Sequence, residues 1–224
     1  LLLKDLGPRV KPGCEGWLFL GDELTVHANG AAHATRRADI AKKLIDGLAA
    51  RGTHVVVAIT PDKTRIESDR LCALRRPAAL DARLSAWSEA MAARALPAVA
   101  LDAPLQQVKA QLGGEGGAYD RTDTHWSLDG AQAAAQAQVQ DALARQQLSA
   151  GNLRRNEDLA RQSFISPGAL EGRQQELASA SAALHSAQAN AVGAGQDVQR
   201  LAAERAALVQ QRGNVRLLAP AAGV

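Results

Sequence analysis

Aromatic side chains are scarce: three tryptophans, two phenylalanines and one tyrosine make up 3% of 224 residues. So thin a set offers no stacking platform for bases. The basic residues never run longer than pairs, Arg36-Arg37, Lys42-Lys43, Arg75-Arg76 and Arg154-Arg155. A net charge of +3 and a pI near 9.1 without a basic stripe exclude nucleic acid as the expected partner. No apolar run approaches the roughly 20 residues that span a bilayer, so no transmembrane segment is expected in the chain as given. Leu1-Leu2-Leu3 is too short for the apolar region of a signal peptide. With no initiator methionine, a leader or anchor upstream stays open. Cys14 and Cys72 fit no metal spacing; they either pair in an oxidising compartment or stay buried and reduced. His27, His33 and His54 have no ligand spacing either, so neither a metal nor a cofactor is expected.

What is present falls into two styles. All three tryptophans, the tyrosine, both cysteines and one phenylalanine precede residue 127, and beyond it the chain is mainly Ala, Gln, Arg, Glu, Leu and Ser, a helix-forming palette. The expected division places one unit at 1–147 and a second at 148–224. In the first, GWLFL (16–20) predicts a short strand. RRADIAKKLIDGLAARG (36–52) predicts an amphipathic helix, with Ile40, Leu44, Ile45 and Leu48 at helical spacing and Gly52 closing it. VVVAIT (55–60) is continuously apolar and β-branched, predicting a strand buried on both faces. A helix over 81–95, a second buried strand AVALD (98–102), a helix near 104–112 and a loop GGEGG (113–117) follow, and another helix opens after Ser127-Leu128-Asp129. Strands alternating with helices across short links specify a parallel α/β sheet.

The second unit keeps a seven-residue beat. Leu170, Leu177, Leu184, Ala191 and Val198 recur at one position, and Ala180, Ala187, Ala194, Leu201 and Leu208 at another. That pattern predicts a coiled-coil seam, with a local bend at Gly193 and Gly195. NLRRNEDLARQSF (152–164) reads as a helix stopping at a Pro167-Gly168 turn, which makes an antiparallel hairpin. VRLLAPAAGV (215–224) reads as extended and stops mid-strand, as in a truncated chain.

Chemistry concentrates in RTDTHWSLDGA (121–131). A carboxylate at Asp123, two residues from the imidazole of His125, can take the Nδ1 proton and fix the tautomer. Nε2 is then left to accept a proton from a hydroxyl. A site just before a helix N-terminus also favours developing negative charge. Asp-x-His is a common tripeptide, however, and spacing alone favours the plainer reading in which Asp123 caps a turn beside an ordinary surface or core histidine.

GCEGWLFLGDE (13–23), TPDKTRI (60–66) and YDRTDTHWSLDGA (119–131) together resemble the ordered signatures of DHHW-type, SGNH-like O-acetyltransferases, periplasmic enzymes that acetylate alginate and similar exopolysaccharides. The resemblance covers about residues 10 to 146. It implies an α/β, SGNH-like parallel-sheet sandwich in which Asp123 orients and His125 acts as general base. Trp126, Lys63 and Arg65 would lie on the substrate side. The implied chemistry is acetyl transfer through a serine ester to a sugar hydroxyl, with polysaccharide and acetyl donor as partners. In that family the serine follows the Asp-x-His motif inside a Gly-x-Ser-like turn. Ser127, Ser149, Ser163, Ser166, Ser179, Ser181 and Ser186 are the downstream serines, and none sits in such a turn. The expectation is an incomplete sandwich and an inactive site, because a positioned base without a hydroxyl to activate drives no covalent step.

Residues 152 to 224 resemble a different family, the periplasmic adaptor (membrane-fusion) proteins of efflux and secretion systems. RNEDLARQSFIS carries their hairpin-tip pattern at Arg155, Leu159 and Ser166, and RLLAPAAGV (216–224) is similar to their return strand. That likeness implies an α-helical coiled-coil hairpin whose tip meets an outer-membrane channel or another copy of itself. The two fragments would join between about 146 and 152.

Overall fold

A computed structural model describes residues 9–114 and 116–214. Strand β1 (Val10–Pro12) pairs antiparallel with β2 (Leu18–Leu20), Val10 opposite Leu20 and Pro12 opposite Leu18. Trp17 and Phe19, two residues apart, point to one side of this ribbon and are buried with Leu71 in a small aromatic core. Cys14, in the turn between the strands, is disulfide-bonded to Cys72, with Cα atoms 5.2 Å apart; the oxidised alternative holds.

The parallel sheet consists of β3 (Val57–Ile59) and β4 (Ala98–Ala100), Val57 opposite Ala98 and Ile59 opposite Ala100. Alternation divides their side chains between two layers. Val57, Ile59 and Ala98 face α1 (Gly30–Ala49) and α3 (Ala82–Ala92), in a core with Ala38, Ile45, Ala90, Met91 and Leu96. Val99 faces the other way, into a core with Leu101, Leu105, Ala118, Tyr119 and Ala134 from α4 (Asp102–Leu112), the following loop and the first turns of α5 (Leu128–Arg161). The four-residue α2 (Lys63–Ile66) follows β3 directly and buries Lys63, Thr64 and Ile66.

Two expectations need correction. The strand expected over 55–60 is three residues long, and Val56 is 44% exposed rather than buried on both faces. With β3 and β4 alone in the parallel sheet among the described residues, α4 and α5 cover β4 and leave the second face of β3 open. The buried stripe of α1 is Ala34, Ala38, Ala41 and Ile45, while Ile40 and Leu44 are 60% and 62% exposed. A stripe of small side chains lets α1 approach α3 closely, and that packing outweighs the larger residues one position away.

Helix α5 runs without a break across the 146–152 segment where a join was expected, and Arg145 on it donates to the carbonyl of Ala98 in β4. Helix α6 (Pro167–Asn214) packs along α5. At 1.5 Å per residue the two are about 51 Å and 72 Å long, so α6 outruns its partner. The turn lies at residues 162–166. Pro167 is the first residue of α6, where its missing N–H costs nothing, and the Ser166 hydroxyl accepts from the Ala169 amide. The seven-residue positions are half-buried as far as Leu201, with Ala187 buried at the centre, and Leu208 beyond the end of α5 is 60% exposed. The helix continues through Gly193 and Gly195. The expected return strand at 216–224 lies outside the described residues.

Candidate functional site

Asp123 and His125 sit on a loop closed at its base. Tyr119 and Trp126 face each other across an antiparallel bridge, and the Asp120 amide donates to the His125 carbonyl at 3.0 Å. The Ser127 amide donates to the Ala118 carbonyl, and α5 begins at once, with the Ser127 hydroxyl accepting from the Gly130 amide at 3.1 Å. Gly130 is required here: a Cβ on it would stand 2.0 Å from the Ala118 oxygen. This close approach sets the loop against the start of α5.

Within the loop, Asp123 Oδ1 lies 2.6 Å from His125 Nδ1 and also accepts from the backbone amides of Thr124 and His125. The bond to His125 holds the Asp123 carboxyl below the usual aspartate range, with the two amides adding to it. The imidazole is therefore braced at Nδ1, and its side chain is 82% exposed. Among the described residues, no side chain hydrogen-bonds to Nε2.

The imidazole borders a cleft of about 420 Å³ lined by Glu23, Thr60, Pro61, Asp62, Tyr119, Thr124, His125 and Trp126. Tyr119 is buried and donates its hydroxyl to the Pro61 carbonyl at 2.5 Å. Burial pushes its phenol far above the ordinary tyrosine range, so it is no ready nucleophile. Glu23 accepts from the Thr64 amide at 3.0 Å, and desolvation raises its carboxyl above the ordinary glutamate value. Asp62 pairs with Arg83 and Arg76. No serine lines the cleft, and Ser127, the nearest in sequence, is spent as a helix cap.

The two remaining residues expected on the substrate side are placed elsewhere. Lys63 has no exposed surface, and its ammonium donates to the carbonyls of Leu18, Asp120, Arg121 and Asp123. Arg65 donates to the carbonyls of Leu80 and Asp81 and does not line the cleft. Glu67, one helical turn after Lys63, is equally buried; its Oε1 accepts from the Tyr119 amide and its Oε2 lies 3.4 Å from the Lys109 ammonium. Sequence reasoning misses Glu23, Tyr119 and Glu67, although Lys63 and Glu67 at i and i+4 share a helical face. His54 meets the Ser179 hydroxyl of α6 at 3.0 Å, His27 and His33 are exposed, and no metal-holding cluster occurs among the described residues. At the far end of the hairpin Arg155 bonds the Asn152 side chain, Leu159 is 40% exposed and Ser166 caps α6.

A layered α/β unit carrying a carboxylate-braced histidine on a tight loop has the form of an SGNH hydrolase-like domain. The family described as ALGX, "SGNH hydrolase-like domain, acetyltransferase AlgX", matches residues 10–219, and the chain belongs to this family. "Probable alginate O-acetylase AlgJ" of Pseudomonas syringae pv. tomato is 36% identical over 130 residues, covering 58% of this chain and 32% of that protein. Its namesake in Pseudomonas putida is 35% identical over 146 residues, covering 65% of this chain and 36% of that one. Among solved structures, the "O-Acetyltransferase Domain of Pseudomonas putida AlgJ" aligns with a TM-score of 0.52 and 29% identity, over 71% of this chain and 50% of that one. The chain thus spans about a third of the length of these curated relatives and half of the solved domain.

Proposed function

We propose that residues 1–147 carry the acid–base half of a periplasmic O-acetyltransferase site for an exopolysaccharide of the alginate kind. His125 is the general base, Asp123 orients it and Trp126 walls the cleft. The observation that carries this reading is the 2.6 Å Asp123–His125 contact, which leaves Nε2 free at the edge of the cleft. A base in this state takes the proton of an attacking hydroxyl and returns it to the leaving group. The names of the relatives suggest the acyl group and the acceptor, and the Cys14–Cys72 bond suits an oxidising envelope compartment.

Transfer through a serine ester calls for a hydroxyl that no described residue brings to the imidazole. Alone, this chain is therefore expected to show no acyl-enzyme burst with para-nitrophenyl acetate. The decisive test replaces the corresponding part of the Pseudomonas putida AlgJ acetyltransferase domain with residues 10–146. The chimera is expected to release acetate from the ester and to lose about 10²-fold or more of that rate on His125→Ala. A folded chimera whose turnover ignores that substitution ends the proposal. The adaptor alternative, with Arg155, Leu159 and Ser166 on an outer-membrane channel, gains no support from the tip geometry, where Arg155 and Ser166 make local bonds.

A further inference from the structure

We infer that Lys63 is a positioning residue for His125, its buried ammonium fixing the loop that carries the Asp123–His125 pair; this rests on the reading of His125 as general base. Side-chain packing does not hold the pair, since Asp123 and His125 are 53% and 82% exposed. Their geometry has to come from the backbone beneath them. There the carbonyls of Asp120, Arg121 and Asp123 all turn inward onto Lys63 Nζ, at 2.5, 3.0 and 2.8 Å, and the Leu18 carbonyl of β2 completes the shell at 2.8 Å.

Three oxygens of one tight turn converging on a point repel one another unless a cation sits between them. An ammonium supplies three protons on a compact, strongly charged head, so two of the four oxygens share one proton. The indole of Trp17 and the ring of Phe19 lie about the same ammonium, their centroids 5.1 and 5.2 Å from Nζ. Burial lowers the Lys63 ammonium below the ordinary lysine value, and the carboxylates of Glu23, Glu67, Asp120 and Asp123 oppose that shift in favour of the charged form. Because Lys63 has no exposed surface and does not line the cleft, its route to the imidazole runs through the Asp123 backbone. The same bonds tie the loop to β2, where the Leu18 amide returns a bond to the Arg121 carbonyl at 2.9 Å.

The test follows the His125 ring nitrogens and the Nδ1 proton by ¹⁵N NMR on the intact chain. Wild-type protein is expected to show one tautomer with a protected Nδ1–H. In Lys63→Met, exchange of that proton is expected on the order of tenfold faster or more, with the ring nitrogens moving toward a tautomer mixture. Lys63→Cys, alkylated in denaturant with bromoethylamine while the disulfide stays intact, returns an ammonium at the same reach and should restore the signal. Met91→Ala weakens the separate core between α1 and α3 and should leave the signal unchanged at an equal loss of melting temperature. A wild-type His125 signature in folded Lys63→Met overturns the inference, and so does its loss in Met91→Ala. Should Lys63→Met fail to fold, the wild-type ammonium decides: slowly exchanging Nζ protons coupled to the Asp120 and Asp123 carbonyl carbons support the assignment, and their absence removes it. These signals do not depend on turnover, so an inert ester assay sinks the base reading without touching them.

Discussion

Among the described residues upstream of 127 no strand exceeds three residues, yet Lys63, Thr64 and Glu67 lie fully buried among carbonyls and amides contributed by distant parts of the chain. Downstream, helices of 34 and 48 residues bury little beyond Gly130, Ala134, Ala142 and Ala187, and the ion pairs of α6, Arg173–Glu176, Arg200–Asp197 and Arg200–Glu204, are local and exposed. One region is held by contacts remote in sequence, the other by its own helical ladder and one long seam. A site needs the first kind of construction, because only remote contacts gather groups from distant parts of the chain at one point.

If that contrast is right, cutting a remote tie should injure the front region and spare the helices. Cys14→Ser/Cys72→Ser opens a link between residues 58 apart. The chain-entropy relation puts its loss at about 4 kcal/mol. Urea unfolding followed by tryptophan fluorescence should register this, since Trp17, Trp87 and Trp126 all lie in the front region, while helical circular dichroism of α5 and α6 changes little at low urea. A loss under about 1 kcal/mol would mean the front region is held by local structure after all.

Two glycines sharpen the contrast. Gly130→Ala would drive a methyl group to 2.0 Å from the Ala118 oxygen, and the resulting shift is expected to cost about 2–3 kcal/mol. Gly193→Ala in α6 meets no atom within 4 Å and should instead stabilise by about 0.5–1 kcal/mol, the ordinary helix preference. Thermal melts of both variants check the pair; equal signs would erase the distinction.

What the amino-acid order makes legible divides along the same line. The helices α3, α4 and α6, the opening of α5 and the strand–helix alternation behind the parallel β3–β4 pair are legible locally, and Asp123 with His125 is visible because two residues suffice to show it. Lys63 reads as a substrate-side residue because the resemblance places it at the end of a strand near the active face. Its burial depends on the carbonyls of Leu18, Asp120, Arg121 and Asp123, none of them specified by side-chain identity. The α1 face is misleading for a related reason: alanine gives a weak hydrophobic signal, and the closeness of α3 that rewards it is a tertiary fact. The pairing of Cys14 with Cys72 is illegible in one dimension because two cysteines in one chain carry no distance.

Acid should act on the two regions differently. Glu23 has a raised carboxyl value through burial, with Asp62 adding to it and Lys63 and Arg83 opposing. The folded state therefore binds this proton more tightly than the unfolded state. Stability from Glu23 is complete below its ordinary value of 4.5 and declines as pH rises through the folded value. Asp39 and Asp123 have lowered values, so their contribution is present above the ordinary 3.8 and is lost as pH falls. Melting temperature of the front region is expected to peak between these windows, and Glu23→Gln should remove the decline on the alkaline side of the peak. A decline that persists in Glu23→Gln assigns it to another group.

The smallest effect belongs to the far end of α6. Arg200 bonds Asp197 and Glu204 on its own helix, with all three side chains more than half exposed. Exposed pairs at such spacing recover little beyond the entropy of holding two long side chains, so Arg200→Ala is expected to change stability by less than about 0.5 kcal/mol. The residue lies where α6 passes the start of α5, and beyond it Leu208 and Val209 are 60% and 62% exposed. Nothing remote among the described residues depends on this stretch. Hydrogen exchange should find the amides after residue 201 the least protected of the helix, and Arg200→Ala should leave exchange near Ala187 unchanged. Slowed exchange across the whole of α6 after residue 201 would show that the overhanging turns are supported like the seam, and that the helical region too is held from a distance.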